Sequence, residues 1–121
     1  MWIRYTLLTL VVSFLFACKS NEPSILKIFV RSNNFILTEG ATVRIVGDLS
    51  KGTPEYFEET KTDGGGVAYF YLDEYFDSFS KDQDKVANFT LYARDSSVTY
   101  TVGEAKARAN LTSTASITLE Q

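Results

Sequence analysis

Thr60-Lys61-Thr62-Asp63-Gly64-Gly65-Gly66-Val67-Ala68-Tyr69-Phe70 is the stretch whose reading decides the fold. Asp63 and the three glycines form the sharpest turn signal in the chain, because glycine adopts backbone angles closed to other residues. Residues 67–72 then alternate Val67, Tyr69 and Tyr71 against Ala68, Phe70 and Leu72. That is the period of a strand, not of a helix. Both sets are apolar, which predicts a central strand covered on its two faces. The polar segment 56–62 predicts a strand leading into the turn.

The same period extends outward. Residues 25–31 place Leu26, Ile28 and Val30 on one face, and Ser32-Asn33-Asn34 reads as a turn. Residues 41–46, entered through Glu39-Gly40, place Ala41, Val43 and Ile45 together, and 48–54 reads as a loop. On the other side, residues 73–85 (DEYFDSFSKDQDK) are acidic and aromatic, and suit a loop with a short helical turn. Strands are expected at 87–94, with Phe89, Leu91 and Ala93 inward, and at 98–102 after the turn Asp95-Ser96-Ser97. Residues 103–110 (GEAKARAN) suit a helix as well as a strand. A last strand over 111–119 has Ala115, Ile117 and Leu119 on one face. No apolar stripe of helical period is sustained. About seven short strands between turn clusters predict an all-β chain, a single antiparallel β-sandwich over residues 25–121. Such a fold buries alternate residues of two sheets, about 20 side chains in all.

Glu39-Gly40-Ala41-Thr42-Val43-Arg44-Ile45, followed by the Thr60 to Phe70 stretch, resembles the carboxypeptidase regulatory-like, or transthyretin-like, β-sandwich. The resemblance spans 26–119, with its specific part in those two segments. It implies an Ig-like or transthyretin-like sandwich serving as a structural, adhesive or ligand-binding module. Domains of this kind are widespread in surface lipoproteins of the Bacteroidetes group. The segment 73–85 is longer than the hairpin usual in that family.

Charge is distributed unevenly. Among the first 17 residues Arg4 is the only charged side chain, and Leu7 to Phe16 reads LLTLVVSFLF. A positive head, a short apolar run and a small residue have the layout of a secretory signal. The run is about half the length that crosses a bilayer as a helix, and Lys19, Ser20, Asn21 and Glu22 follow it. Leu15-Phe16-Ala17-Cys18 resembles the lipobox of bacterial lipoproteins, with Phe16 where a small residue is usual. That resemblance implies cleavage after residue 17, acylation of Cys18 and a tether over 18–24. Lys19, where an Asp would signal inner-membrane retention, implies the outer membrane of a Gram-negative cell. Each buried acyl methylene contributes about 0.8 kcal/mol, so two or three chains anchor stably. Removing 17 of the 121 residues leaves 104, with 11 basic and 15 acidic side chains and a formal charge of −4.

Composition excludes several chemistries. The chain has no histidine and one cysteine. It therefore has no histidine base or metal ligand, no intrachain disulfide and no CxxC site. Its net charge of −3 argues against a nucleic-acid partner, for which a basic face is expected. No pair of carboxylates is singled out by spacing for glycosidase-type work, so the expectation is a non-enzyme without cofactor or metal. The partners expected are the membrane, through the lipid, and an envelope protein or glycan. Asn88-Phe89-Thr90 and Asn110-Leu111-Thr112 match a glycosylation triplet that a bacterial lipoprotein would not present to the eukaryotic machinery.

Two features of 73–85 could mark a site. Asp73, Glu74, Asp77, Asp82 and Asp84 make no complete calcium loop, lacking its turn glycine and closing glutamate, and read as a solvated acidic loop. Tyr75, Phe76 and Phe79 flank those acids, and as loop aromatics they are the candidate ligand surface for a glycan or protein.

Overall fold

The computed structural model describes residues 22–96 and 99–119; the signal-like segment and Cys18 lie outside them. The order is β1 (Ile25–Arg31), β2 (Thr42–Gly47), β3 (Phe57–Lys61), β4 (Val67–Tyr71), α1 (Asp73–Asp77), β5 (Val86–Arg94), β6 (Thr101–Arg108) and β7 (Thr112–Thr118). A single 3-10 turn, Leu49–Lys51, sits between β2 and β3. A three-stranded sheet ordered β4-β1-β7 faces a four-stranded sheet ordered β3-β2-β5-β6. The chain is an all-β sandwich, as its alternation predicts. Leu26, Ile28, Val30 and Phe70 from one sheet meet Val43, Ile45, Phe89 and Leu91 from the other in one core. Each such buried side chain contributes about 1.5–3 kcal/mol.

Two local expectations are corrected and one ambiguity is settled. β4 is an edge strand, not a central one. Ala68, Phe70 and Leu72 are fully buried, while Tyr69 and Tyr71 stand exposed on the outer face. Tyrosine tolerates this because its ring is amphipathic, and the ammonium of Lys27 lies 5.4 Å from the Tyr69 ring centroid. Nor is the sandwich wholly antiparallel: β1 and β7 pair in parallel, Ile28 opposite Ala115 and Val30 opposite Ile117. The chain reverses direction at every connection, so strands separated by six reversals point the same way when they meet. The run 103–110, which suits helix or strand, is mostly strand, with β6 starting at Thr101. Ala105 and Ala107 face inward, while Glu104, Lys106 and Arg108 face out. A Cβ added to Gly103 would sit 3.1 Å from the Ile117 Cδ1 atom. The small inward residues of β6 thus make room for β7.

Ser24, one residue before the expected start of the domain at 25, already belongs to the fold. Ser24 is buried. Its N–H donates to Asp73 Oδ1 at 2.7 Å, and its hydroxyl accepts from the Asn110 N–H at 2.8 Å. Its carbonyl accepts from the Leu72 N–H at 2.8 Å. The entry of the chain is thus fixed to the start of α1 and to the β6–β7 turn.

At the opposite end, the two crossings between sheets run side by side. One is the loop from β1 to β2, the other the Asp63 turn from β3 to β4. Asp63 Oδ1 accepts from the N–H groups of Gly65 and Val67 at 2.9 and 3.1 Å. Buried Thr62 donates through Oγ1 to the Thr38 carbonyl at 2.6 Å and accepts from the Ala41 N–H at 2.9 Å. Gly66 has φ +74°, and a Cβ there would come within 2.7 Å of Leu37 Cβ and 2.8 Å of Thr38 N. Gly64 has open space around it. Gly66→Ala combines a left-handed backbone penalty with overpacking, and it is expected to lower stability by roughly 2–4 kcal/mol. Gly64→Ala should stay within about 0.5 kcal/mol of the parent. Urea unfolding of the two variants checks the contrast.

Candidate functional site

Tyr75, Phe76 and Phe79 do not form a ligand surface. They are 9%, 2% and 7% exposed and belong to the core, which overturns the expectation of a glycan or protein platform at these rings. The cause is α1, a short turn of helix that points Asp73, Glu74 and Asp77 to solvent and the rings inward. Tyr75 stacks 4.4 Å from Tyr56, meets Phe79 edge-on at 4.9 Å and lies 6.0 Å from Phe89. Its hydroxyl donates to the Pro54 carbonyl at 2.6 Å. Residues 73–79 thus plug one end of the sandwich. Among the described residues no group of three acidic, cysteine or histidine side chains could hold a metal ion.

Cys18 lies outside the described residues, so its role rests on the sequence. Among the described residues no helix is long and apolar enough to cross a membrane.

Two surfaces that sequence reading missed stand out. The first is the outer face of the four-stranded sheet. There the Arg44 guanidinium lies 5.3 Å from the Phe57 ring and 5.1 Å from Tyr100, and Arg94 lies 4.8 Å from Tyr100. Arg44 also donates to Glu59 Oε2 at 3.1 Å and to the Tyr100 hydroxyl at 3.3 Å. The cations and rings of this face satisfy one another, leaving Phe57 and Val102 as exposed apolar margins. Such exposed contacts are individually worth about 0.5–1 kcal/mol, and this face needs no ligand to explain it.

The second surface is the hairpin tip at 35–37. Phe35 is 73% exposed, Ile36 65% and Leu37 44%. Three large apolar side chains in succession on a protruding turn are unusual, since scattered single exposures are the norm. Ser32 opens the turn: its carbonyl accepts from the Phe35 N–H at 2.9 Å, and its N–H donates to the Ile36 carbonyl at 2.8 Å. Phe35 has φ +62°. This is a type I turn closed by a left-handed residue, the place where hairpins of this kind carry glycine. A phenylalanine there costs roughly 1–2 kcal/mol of backbone strain. Strain of this type in a native structure is a pointer to function. The tip lies at the end of β1 away from Ser24, about 20 Å along a seven-residue strand. The sequence signal available was Phe35-Ile36-Leu37 itself, an unbroken apolar triplet directly after Ser32-Asn33-Asn34.

No protein-family model matches the chain, and no curated protein matches it.

Burial pushes the Tyr75 phenol up to about 12, and burial together with Glu58 raises Tyr56 as well. Both folded values lie above the unfolded one near 10, so the folded state favours the protonated phenols. Their stabilising contribution is complete below about pH 10 and falls as pH rises toward 12. Tyr75→Phe removes its own share of that slope. Urea midpoints measured from pH 8 to pH 12 should therefore decline less steeply for Tyr75→Phe than for the parent chain.

Proposed function

We propose that the chain is a lipid-anchored, non-catalytic β-sandwich module of a Gram-negative cell envelope, acylated on Cys18. In this reading it engages a protein partner through the tip at 35–37. The observation that carries the binding role is the strained, solvent-facing Phe35-Ile36-Leu37 turn. The lipoprotein reading is supported by the apolar signal-like segment and by the placement of the single cysteine at its end. The resemblance of two segments to carboxypeptidase regulatory-like domains supports a structural or binding role over catalysis. The Lys19 that follows Cys18 favours the outer membrane. The described chain enters the domain at Ser24, at the pole opposite the tip, which supports a tip directed away from an anchoring membrane. A protein surface with an apolar cleft is the complementary partner, because a single projecting aromatic in a desolvated pocket dominates such contacts.

Two measurements test this. Cys18→Ser should abolish labelling by an alkyne fatty acid and release the chain from the membrane fraction; continued association would remove the anchor. For the tip, Phe35→Asn places a residue that accepts the left-handed conformation. It should raise stability by about 1 kcal/mol. The same variant should reduce photo-crosslinking from position 36 to its envelope partner by about tenfold or more. Stabilisation with undiminished crosslinking would sink the tip as the binding element.

A further inference from the structure

At the pole where the chain enters the domain, a groove of about 810 Å³ opens along the outer face of β5 and β6. It is flanked by the loops at 51–52 and 83–85 and by the β6–β7 turn. Four of the chain's 12 lysines and arginines line it: Lys51, Lys85, Lys106 and Arg108. The only acid in its lining is Asp84. Lys51 is engaged at 3.6 Å by Glu104, a pair exposed on both sides and therefore weak. Among the described residues, Lys85, Lys106 and Arg108 form no ion pair. The register sets Val86 opposite Arg108 and Asn88 opposite Lys106. The two cations of β6 are thus same-face neighbours, about 7 Å apart along the strand. Asn88 and Asn110 add amide donors to the lining. Asn110 also ties the wall to the entry of the chain through its bond to Ser24.

We infer that this groove binds a phosphate-bearing anion. A concentration of four cations, three of them without an ion pair among the described residues, in a chain of net charge −3 reverses the local field and draws in anions. The planar fork of a guanidinium matches two phosphate oxygens, and lysines supply point charges to the rest. One carboxylate would leave most of these cations unmatched, whereas a phosphate or diphosphate offers the charge and the acceptors to engage them. The volume is that of a small-molecule site. The same chemistry is offered by a free phosphate compound and by an anionic lipid headgroup. A headgroup would be within reach of the groove if the chain is anchored at this pole.

The inference does not rest on the anchoring reading, and the test separates the two. The full-length chain in neutral detergent is titrated with inorganic pyrophosphate and, in parallel, with glutarate. Millimolar or tighter binding of pyrophosphate is expected, weakened about tenfold or more in Lys106→Gln/Arg108→Gln. Both side chains are exposed, and an unchanged melting temperature shows that the variant folds. No binding, equal binding of glutarate, or binding indifferent to the variant overturns the site. The source is read from acetylation of Lys85 and Lys106 in the chain reconstituted into vesicles. Protection with phosphatidylglycerol present, but not in phosphatidylcholine alone, assigns a lipid headgroup. Protection only on adding pyrophosphate assigns a free phosphate. Protection in neither case overturns the site. A failure of Cys18→Ser to release the chain from membranes would leave the pyrophosphate result intact.

Discussion

The buried hydroxyl of Thr62 is the constraint on which the far end of the sandwich depends. It donates to Thr38 and accepts from Ala41, so it joins the end of β3 to the loop that brings the chain from β1 to β2. That loop leaves the three-stranded sheet, and the Asp63 turn returns to it. Each crossing would be a weak point alone, because loop backbone away from a ladder must find other partners. Side by side they supply each other. The Val30 N–H donates to the Gly66 carbonyl at 2.9 Å, and the Thr38 N–H donates to the Val30 carbonyl at 2.9 Å. Gly66 is needed because its neighbour is the side chain of Leu37 rather than water. The two sheets are held in register there without a disulfide, which a chain with one cysteine cannot form within itself.

The other pole is closed differently, by rings. Tyr56, Tyr75, Phe76, Phe79 and Phe89 fill the open end between the sheets. The two tyrosines reach oxygen partners at the margin, Pro54 and Glu58. A β-sandwich exposes core edges at both ends, and long apolar strands alone do not cover them. Here α1 serves as a stopper, and Ser24 fastens the incoming chain against it. Hydrogen bonds around a buried serine and an aromatic plug close this end. The groove with its cations opens on the outside of the same end, between the outer face of β5 and β6 and the loops at 51–52 and 83–85.

Period-two alternation makes most of the fold legible from the sequence alone: Leu26, Ile28, Val30, Phe89, Leu91 and Ile117 all face inward as their spacing requires. Where the local pattern misleads or stays ambiguous, a second factor decides. Gly-Glu-Ala-Lys-Ala-Arg-Ala has the composition of a helix, yet it alternates small and charged, and β7 needs the small side for Ile117. Val67, Tyr69 and Tyr71 resemble a buried face because tyrosine counts as apolar, and only sheet order shows that β4 lies at an edge. The rings of 75–79 suggest exposure because acids surround them. A single helical turn sorts acids from rings within five residues, and no two-state alternation reveals that. The tip and the groove are illegible for another reason. The tip needs a backbone angle, and the groove needs the pairing of Val86 with Arg108 and of Asn88 with Lys106, contacts that only tertiary structure supplies.

The geometry of the tip separates what the fold requires from what it does not. Ser32 and Ile36 are bonded to each other, and Thr38 is held by Val30 and Thr62. The hairpin must therefore close over a fixed number of residues, and position 35 takes a left-handed angle whatever side chain it carries. Glycine or asparagine would meet that demand without strain. The fold thus accounts for the angle and not for the phenyl ring. A ring that is nearly three-quarters exposed also recovers little by burial within its own chain. Its backbone cost is not offset by burial among the described residues, and this is what supports the proposed contact with a partner surface.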